Sequence, residues 1–207
     1  ISIEDEDCHT AIENRLIMSL GDTGSKIHTG RSRNDQVLVA LRLYYKSSLS
    51  EISSITNQCI EHLQMFGDNN NFDFPGYTHM QKAMPSNIKI WSNAFADSLV
   101  DDLKNLKNVQ HIIDQNPLGS VAGYPTPLKI DRELTTSELG FNKIQSNPIY
   151  CQISRGKFEA LIVDSLSQIM FSLNRLSSDL ILFSMPHFGY FMLPEKFCTG
   201  SSIMPQK

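Results

Sequence analysis

The sequence predicts an all-α protein, a bundle of long helices. Two observations carry this: apolar residues recur every three or four positions along three long stretches, and no segment alternates apolar with polar residues over a useful strand length. A third is that the polar, glycine- and proline-bearing residues collect in the connections between those stretches. In chain order, residues 4–20 form a first helix on Ile12, Leu16 and Leu20, ending at Gly21. From about Asn34 to Phe66 a second carries Val37, Leu41, Tyr45, Leu49, Ile52, Ile55, Cys59, Leu63 and Phe66, with Gly67 as its stop. Residues 86–114 repeat the pattern with Ile88, Trp91, Phe95, Leu99, Leu103, Leu106, Val109 and Ile113, entered at Pro85-Ser86 and closed by Asn116-Pro117. Residues 158–183 place Phe158, Ile162, Leu166, Ile169, Leu173, Leu176, Leu180 and Phe183 on one heptad-like stripe. At about 1.5 Å per residue each long stretch reaches roughly 40 Å. Leu161, Val163, Met170, Phe171, Ile181 and Leu182 lie off the main stripe. A helix apolar on more than one face needs more than one neighbour, which favours an oligomeric bundle over a monomer. Asp68-Asn69-Asn70-Asn71 reads as a surface loop.

Composition bounds the function. With 207 residues, 41% of them apolar, and a mean hydropathy of −0.21, the chain buries a real core and is not a disordered tail. A net charge of −4 without any concentrated Lys/Arg run argues against a nucleic-acid partner, whose phosphates demand a basic surface. No apolar run approaches the roughly 18 residues of a membrane span, and Ile1-Ser2-Ile3-Glu4-Asp5 has neither the basic nor the apolar region of an export signal. The expectation is a cytoplasmic protein with no membrane partner. Cys8, Cys59, Cys151 and Cys198 are too widely spaced for a C-x-x-C pair and read as free or buried thiols. The histidines lack ligand spacing, so neither a metal nor an organic cofactor is implied. The chain lacks an initiator Met and stops at Gln206-Lys207 without a helix end or turn, so a segment of a longer polypeptide is expected.

The chemistry concentrates in four connections, as on a rigid scaffold that presents loops. The run Gly24 to Gln36 gathers Lys26, Arg31 and Arg33 with hydroxyls and amides directly before a helix, either an anion site at a helix N-terminus or a solvated basic loop. It is no P-loop, since five residues separate Gly24 from Gly30 and Arg31 stands where Lys is required. The prolyl-bounded turn Pro75 to Pro85 displays Thr78, His79, Gln81 and Lys82. Histidine as a residue type is suited to proton transfer near neutrality, which singles out His79, although a loop histidine taken singly is more often a surface hydrogen-bonding residue. Asn116 to Tyr124 is rich in small residues that permit close backbone approach. The last connection, Thr199 to Lys207, sets two hydroxyls after a glycine and a lysine six residues beyond Ser201.

That last run, Gly200-Ser201-Ser202-Ile203-Met204-Pro205-Gln206-Lys207, resembles the signature loop of the fumarase/aspartase superfamily, all-α homotetramers that make fumarate by β-elimination from substituted succinates. Gln206 stands where fumarases and aspartases usually have Gly and adenylosuccinate lyases His. Gly30-Arg31-Ser32-Arg33-Asn34-Asp35-Gln36 and Pro75-Gly76-Tyr77-Thr78-His79-Met80-Gln81 are similar to the argininosuccinate lyases in particular, and the resemblance spans essentially the whole chain. It implies a long-helix bundle assembling as a homotetramer with a multi-helix core, in which loops from three subunits build each active site. It implies reversible cleavage of argininosuccinate to arginine and fumarate, with no cofactor.

The resemblance also divides the chain into residues 1–30, the end of an N-terminal domain, and 31–207, the N-terminal part of the central helical-bundle domain. It makes Ser201 the base that takes the Cβ proton and Lys207 the cation that stabilises the developing charge. His79 then assists proton donation to the leaving group through an acidic partner beyond Lys207. Arg33, Asn34 and Thr78 contact the substrate's carboxylates and amino-acid groups, Ser32 and His9 lie in the same neighbourhood, and Gln81 lines the site.

The C–H bond concerned is a very weak acid, so donors preorganised around an aci-carboxylate dianion have the most to contribute. A serine at its ordinary pKa needs activation on loop closure, by desolvation, cations and backbone N–H groups. One stretch departs from the family pattern: Ser154-Arg155-Gly156-Lys157 replaces the usual Ser-Asp-Arg-Asp version, keeping the arginine and losing its flanking acids, as in a divergent branch. Arg155 is either a carboxylate contact or a structural salt bridge. Two other functions stay open: a superfamily lyase expelling ammonia or an adenylated amine, against which Gln206 and Arg33-Asn34-Asp35-Gln36 argue, and a non-catalytic homologue of the lens-crystallin kind, against which the retained Ser201, His79 and Lys207 argue.

Overall fold

The structure is a computed structural model that describes residues 5–124 and 126–204. Its helices follow from caps and apolar periodicity. Helix α1 (Cys8–Leu20) starts where the Asp7 carboxylate accepts the Thr10 N–H at 2.9 Å, and it ends at Gly21, whose φ of 56° suits a residue without Cβ. A one-turn α2 (Asp22–Ser25) and a 3-10 turn (Lys26–His28) lead to the 37-residue α3 (Arg33–Asn69). Strands β1 (Asp73–Thr78) and β2 (Gln81–Asn87) follow, then the 26-residue α4 (Ile88–Ile113), entered through Asn87, whose side chain accepts the Ile90 N–H at 2.8 Å. Beyond β3 (Gln115–Asn116) come α5 (Arg132–Glu138), β4 (Lys143–Ile144), α6 (Pro148–Ile153) and the 28-residue α7 (Lys157–Ser184). Asp131 and Asn147 cap α5 and α6 with their side chains. Among the described residues no helix is long and apolar enough to cross a membrane.

The helical architecture stands, with two corrections. Residues 73–87 are not a turn but an antiparallel hairpin, β1 on β2, with Pro75 opposite Pro85 and Thr78 opposite Gln81. Alternation is a signal only when one strand face is buried, and here neither strand has a buried face: β2 is exposed from Gln81 to Pro85. The second correction is Gly67, which lies inside α3 rather than at its stop. A Cβ on Gly67 would fall 2.3 Å from Ser92 Oγ and 3.1 Å from Lys89 Cα, so glycine is there because α4 passes too close for a side chain. The helix runs on into the expected surface loop and closes with Asn70 N–H and Asn70 Nδ2 both donating to Phe66 O.

The chain divides into two compact units, Ile1–Ile52 with Leu106–Val163, and Ser53–Asn105 with Asp164–Lys207, and the three longest helices contribute residues to both. The first unit has a core of Leu38, Leu49, Leu106, Val109, Ile113, Phe141, Phe158 and Ile162, together with the buried thiol Cys151. Its segment of α3 turns Asp35, Leu38, Arg42 and Leu49 inward, while Leu41, on the expected stripe, is exposed. The buried line and the apolar stripe share Leu49 but part toward the start of the helix, where Asp35 and Arg42 are charged residues facing inward.

In the second unit Ile60, Ile88, Ala96, Leu99, Leu103, Ile169 and Phe183 are buried, each large apolar side chain adding roughly 1.5–3 kcal/mol. Helices α4 and α7 run antiparallel there, tied by Trp91 Nε1–H to Asp179 at 3.0 Å and by Ser172, which donates to Asp102 and meets Ser98 Oγ at 2.9 Å. Met170, Phe171 and Ile181 of α7 are 63%, 62% and 67% exposed. Gly67→Ala is expected to lower stability by about 1–3 kcal/mol despite the better helix propensity of Ala, and Ser92→Ala in that background to recover part of it, measured by urea unfolding of the protein.

Candidate active site

In the first unit the site grows from the start of α3. Ser32 precedes the helix, and its Oγ accepts the Asn34 N–H at 3.2 Å and Asn34 Nδ2 at 3.1 Å. Asp35, fully buried, accepts the Ser32 N–H on Oδ1 at 2.8 Å, one half of a capping box. Its other oxygen, Oδ2, accepts the N–H groups of Gly119 at 2.8 Å and Val121 at 2.9 Å. One carboxylate therefore fixes both the helix start and the small-residue loop. That loop aims its N–H groups inward because Gly119 and Val121 adopt φ of 85° and 53°, a conformation that a β-branched residue resists.

Arg155 reaches the same place from the turn between α6 and α7. Its Nη2 donates to Asn34 O at 2.8 Å, with Asn34 Oδ1 at 3.5 Å. The salt-bridge alternative finds no acid, as Arg155 makes no ion pair among the described residues. Gly156 has φ of 75° with open space around it, so backbone conformation rather than packing explains the glycine. The structure thus gathers Ser32, Asn34 and Arg155 at one helix end.

Arg33 turns instead to the start of α1. Its Nη1 pairs with Glu6 at 2.8 Å and Asp7 at 3.3 Å, and its Nη2 donates to Thr10 Oγ1 at 2.9 Å. The Glu6 hydrogen bond holds the guanidinium above its ordinary pKa, and the Thr10 backbone N–H, aided by the Arg33 charge, holds the Asp7 carboxyl below its own. His9, half-buried, occupies the first turn of α1 between Asp7 and Thr10.

In the second unit the hairpin brings Thr78, His79 and Gln81 together at its exposed tip. The two tip residues, His79 and Met80, have φ of 51° and 63°, the left-handed pair of a two-residue hairpin turn that glycine and asparagine normally fill. Strand β1 is anchored close to the tip by Tyr77 OH, 2.7 Å from Tyr190 OH, among the rings of Phe74, Phe183 and Phe188. The Tyr77 contact raises the Tyr190 phenol's pKa. Ser201 lies on the terminal segment, exposed, its Oγ accepting the N–H groups of Ile203 at 3.3 Å and Met204 at 3.1 Å. Lys207 and Gln206 lie outside the described residues. No three His, Cys, Asp or Glu side chains among the described residues stand close enough to hold a metal ion.

Sequence reasoning gave no role to Asp35, although Ser32-Arg33-Asn34-Asp35 carries capping-box spacing. It also passed over Arg42, Arg132 and Gln145, whose roles are set by distant partners. Arg132 donates to the carbonyls of Leu118, Asn116 and Gln145 and so closes the other side of the loop.

The family model described as "Lyase" matches residues 1–207, and the chain belongs to that family. Among individual relatives it is 55% identical to the argininosuccinate lyase of Thermotoga neapolitana over 208 residues, 100% of this chain and 52% of that one. To the argininosuccinate lyase of Xylella fastidiosa it is 46% identical over 203 residues, 98% of this chain and 46% of that one. The chain spans about half the length of the curated relatives it matches. Among solved structures, EDDS lyase in complex with formate superposes with a TM-score of 0.89 at 26% identity, covering 94% of this chain and 39% of that one. A fumarate lyase:delta crystallin from Brucella melitensis bound to cobalt gives 0.79 at 25%, covering 96% and 47%.

Two outcomes follow from the geometry. Asp35→Asn, equal in shape but with an N–H₂ facing N–H donors, is expected to destabilise the protein by about 1–3 kcal/mol in urea unfolding. Met80→Gly is expected to stabilise the hairpin by about 1–2 kcal/mol, read as a rise in Tm.

Proposed function

We propose that the full-length protein is an argininosuccinate lyase, cleaving argininosuccinate reversibly to arginine and fumarate in the cytoplasm, and that it works as a homotetramer whose subunits share their active sites. The observation that carries this reading is the 55% identity with an argininosuccinate lyase across all of this chain. The exposed apolar residues of α7 support assembly, since Met170, Phe171 and Ile181 leave a second face uncovered.

On this reading Ser201 Oγ takes the Cβ proton of the succinyl group. Two backbone N–H groups already point at that oxygen, and hydrogen bonds to an oxyanion strengthen as its charge develops. The electron pair left on carbon spreads into the adjacent carboxylate, where Lys207 and donors such as Asn34 and Thr78 stabilise the dianion, while Arg155 binds a substrate carboxylate in ground and transition state alike. The carbon–nitrogen bond then breaks, its pair going to the guanidino nitrogen and the carbon pair forming the double bond of fumarate. His79 assists delivery of the proton that the leaving arginine requires. Ser32, Arg33, His9 and Gln81 complete the substrate surroundings.

The test is Ser201→Ala in the full-length protein, with fumarate followed by ultraviolet absorbance and assembly by sedimentation. Release of fumarate is expected to fall by about 10²–10⁴-fold with the oligomer intact. Near-normal turnover removes Ser201 from the role of base. A wild type active on aspartate or adenylosuccinate but inert toward argininosuccinate overturns the substrate.

A further inference from the structure

Arg42 is a cation buried in the first unit without a carboxylate. Only 3% of it is exposed, and it makes no ion pair among the described residues. Its Nη1 donates to Gln115 O at 2.6 Å, its Nη2 to Ser154 Oγ at 3.2 Å, and its guanidinium lies 4.8 Å from the centre of the Phe158 ring. Burial lowers its pKa to about 10, with the fields of Cys151 and Glu159 working against that shift. A buried unpaired charge is unfavourable against an apolar side chain of similar volume, so packing alone does not account for an arginine here.

What the arginine holds is a turn. Ser154, 1% exposed, receives Arg42 and Gln145 Nε2 on its Oγ and donates to Cys151 O at 2.8 Å. Two residues on, the Gly156 N–H donates to Glu159 at 2.7 Å. Between these clamps sits Arg155, whose Nη2 rests on Asn34. Helical side chains lean toward the helix N-terminus, so Arg42 reaches back along α3 toward the end that carries Asn34. Helix α3 thus grips the turn through Arg42 on Ser154 and through Asn34 on Arg155.

We propose that Arg42 is a positioning residue for substrate binding, acting through the 154–156 turn to hold Arg155 at Asn34. This rests on the lyase reading of the site. Its fork bonds two acceptors at once, which a lysine ammonium at the same place does not reproduce.

The test uses the full-length protein. Arg42→Met is expected to raise KM for argininosuccinate about tenfold, the equivalent of one charge-assisted hydrogen bond, with kcat within about twofold. Arg42→Lys is expected not to restore KM, and Ser154→Ala to raise it in the same direction. In an Arg155→Ala background neither Arg42→Met nor Ser154→Ala raises KM further, because the residue they position is gone. Additive effects in that cycle, or a folded Arg42→Met with wild-type KM, overturn the proposal. Should Arg42→Met fail to fold, the Ser154→Ala cycle decides. Amide hydrogen exchange at residues 154–156 gives a readout without turnover, expected to be faster in Arg42→Met and Ser154→Ala than in wild type. Unchanged exchange overturns the positioning role. A wild type inert toward argininosuccinate, with exchange accelerated in the variants, overturns the lyase reading alone.

Discussion

The Asp35 carboxylate accepts three backbone N–H groups, from Ser32, Gly119 and Val121, while wholly removed from solvent. Backbone donors buried without partners are costly, and a loop that turns its N–H groups inward survives only where an acceptor waits for them. Asp35 is that acceptor. It makes the left-handed conformations of Gly119 and Val121 tenable and sets where α3 begins. It lies one residue from Asn34, so whatever fixes the loop also fixes the polar groups at the helix end.

The same helix carries a second polar anchor two turns later. The inward line of α3 in the first unit runs Asp35, Leu38, Arg42, Leu49, alternating groups that bond to loops with groups that fill the core. This helix is therefore less a hydrophobic rod than a spine to which loops are hydrogen-bonded. Arg42 serves Gln115 and Ser154, Lys46 serves Asp114 at 2.5 Å, and Arg132 closes the loop from outside the helix. Directional bonds to carbonyls and hydroxyls specify loop geometry in a way that apolar contact does not.

The hairpin of the second unit uses the opposite device. Its first strand is secured by rings, with Phe74, Tyr77, Phe183, Phe188 and Tyr190 packed at centroid distances of 5.4–6.5 Å. Its tip is exposed and places two residues other than glycine at positive φ. Strain of that kind persists where the surroundings hold it, and the contacts of Tyr77 beside the tip are what hold it here. His79 is thereby presented outward at the exposed tip.

The amino-acid sequence by itself determined the long helices, since the period of Leu99, Leu103, Leu106, Val109 and Ile113 in α4 is a local property that burial then used. It also determined the residue types grouped in each loop, and through their resemblance the chemistry expected of Ser201 and His79. It did not reveal the hairpin, whose strands lack a buried face, nor the packing reason for Gly67, which depends on Ser92 and Lys89 arriving from another helix. Nor did it assign Asp35 or Arg42, because a charged residue on a buried line looks like an interruption of periodicity until its distant partners are known. Tertiary structure decided those roles: hydrogen bonds between residues tens of positions apart exist only once the chain has brought them within about 3 Å.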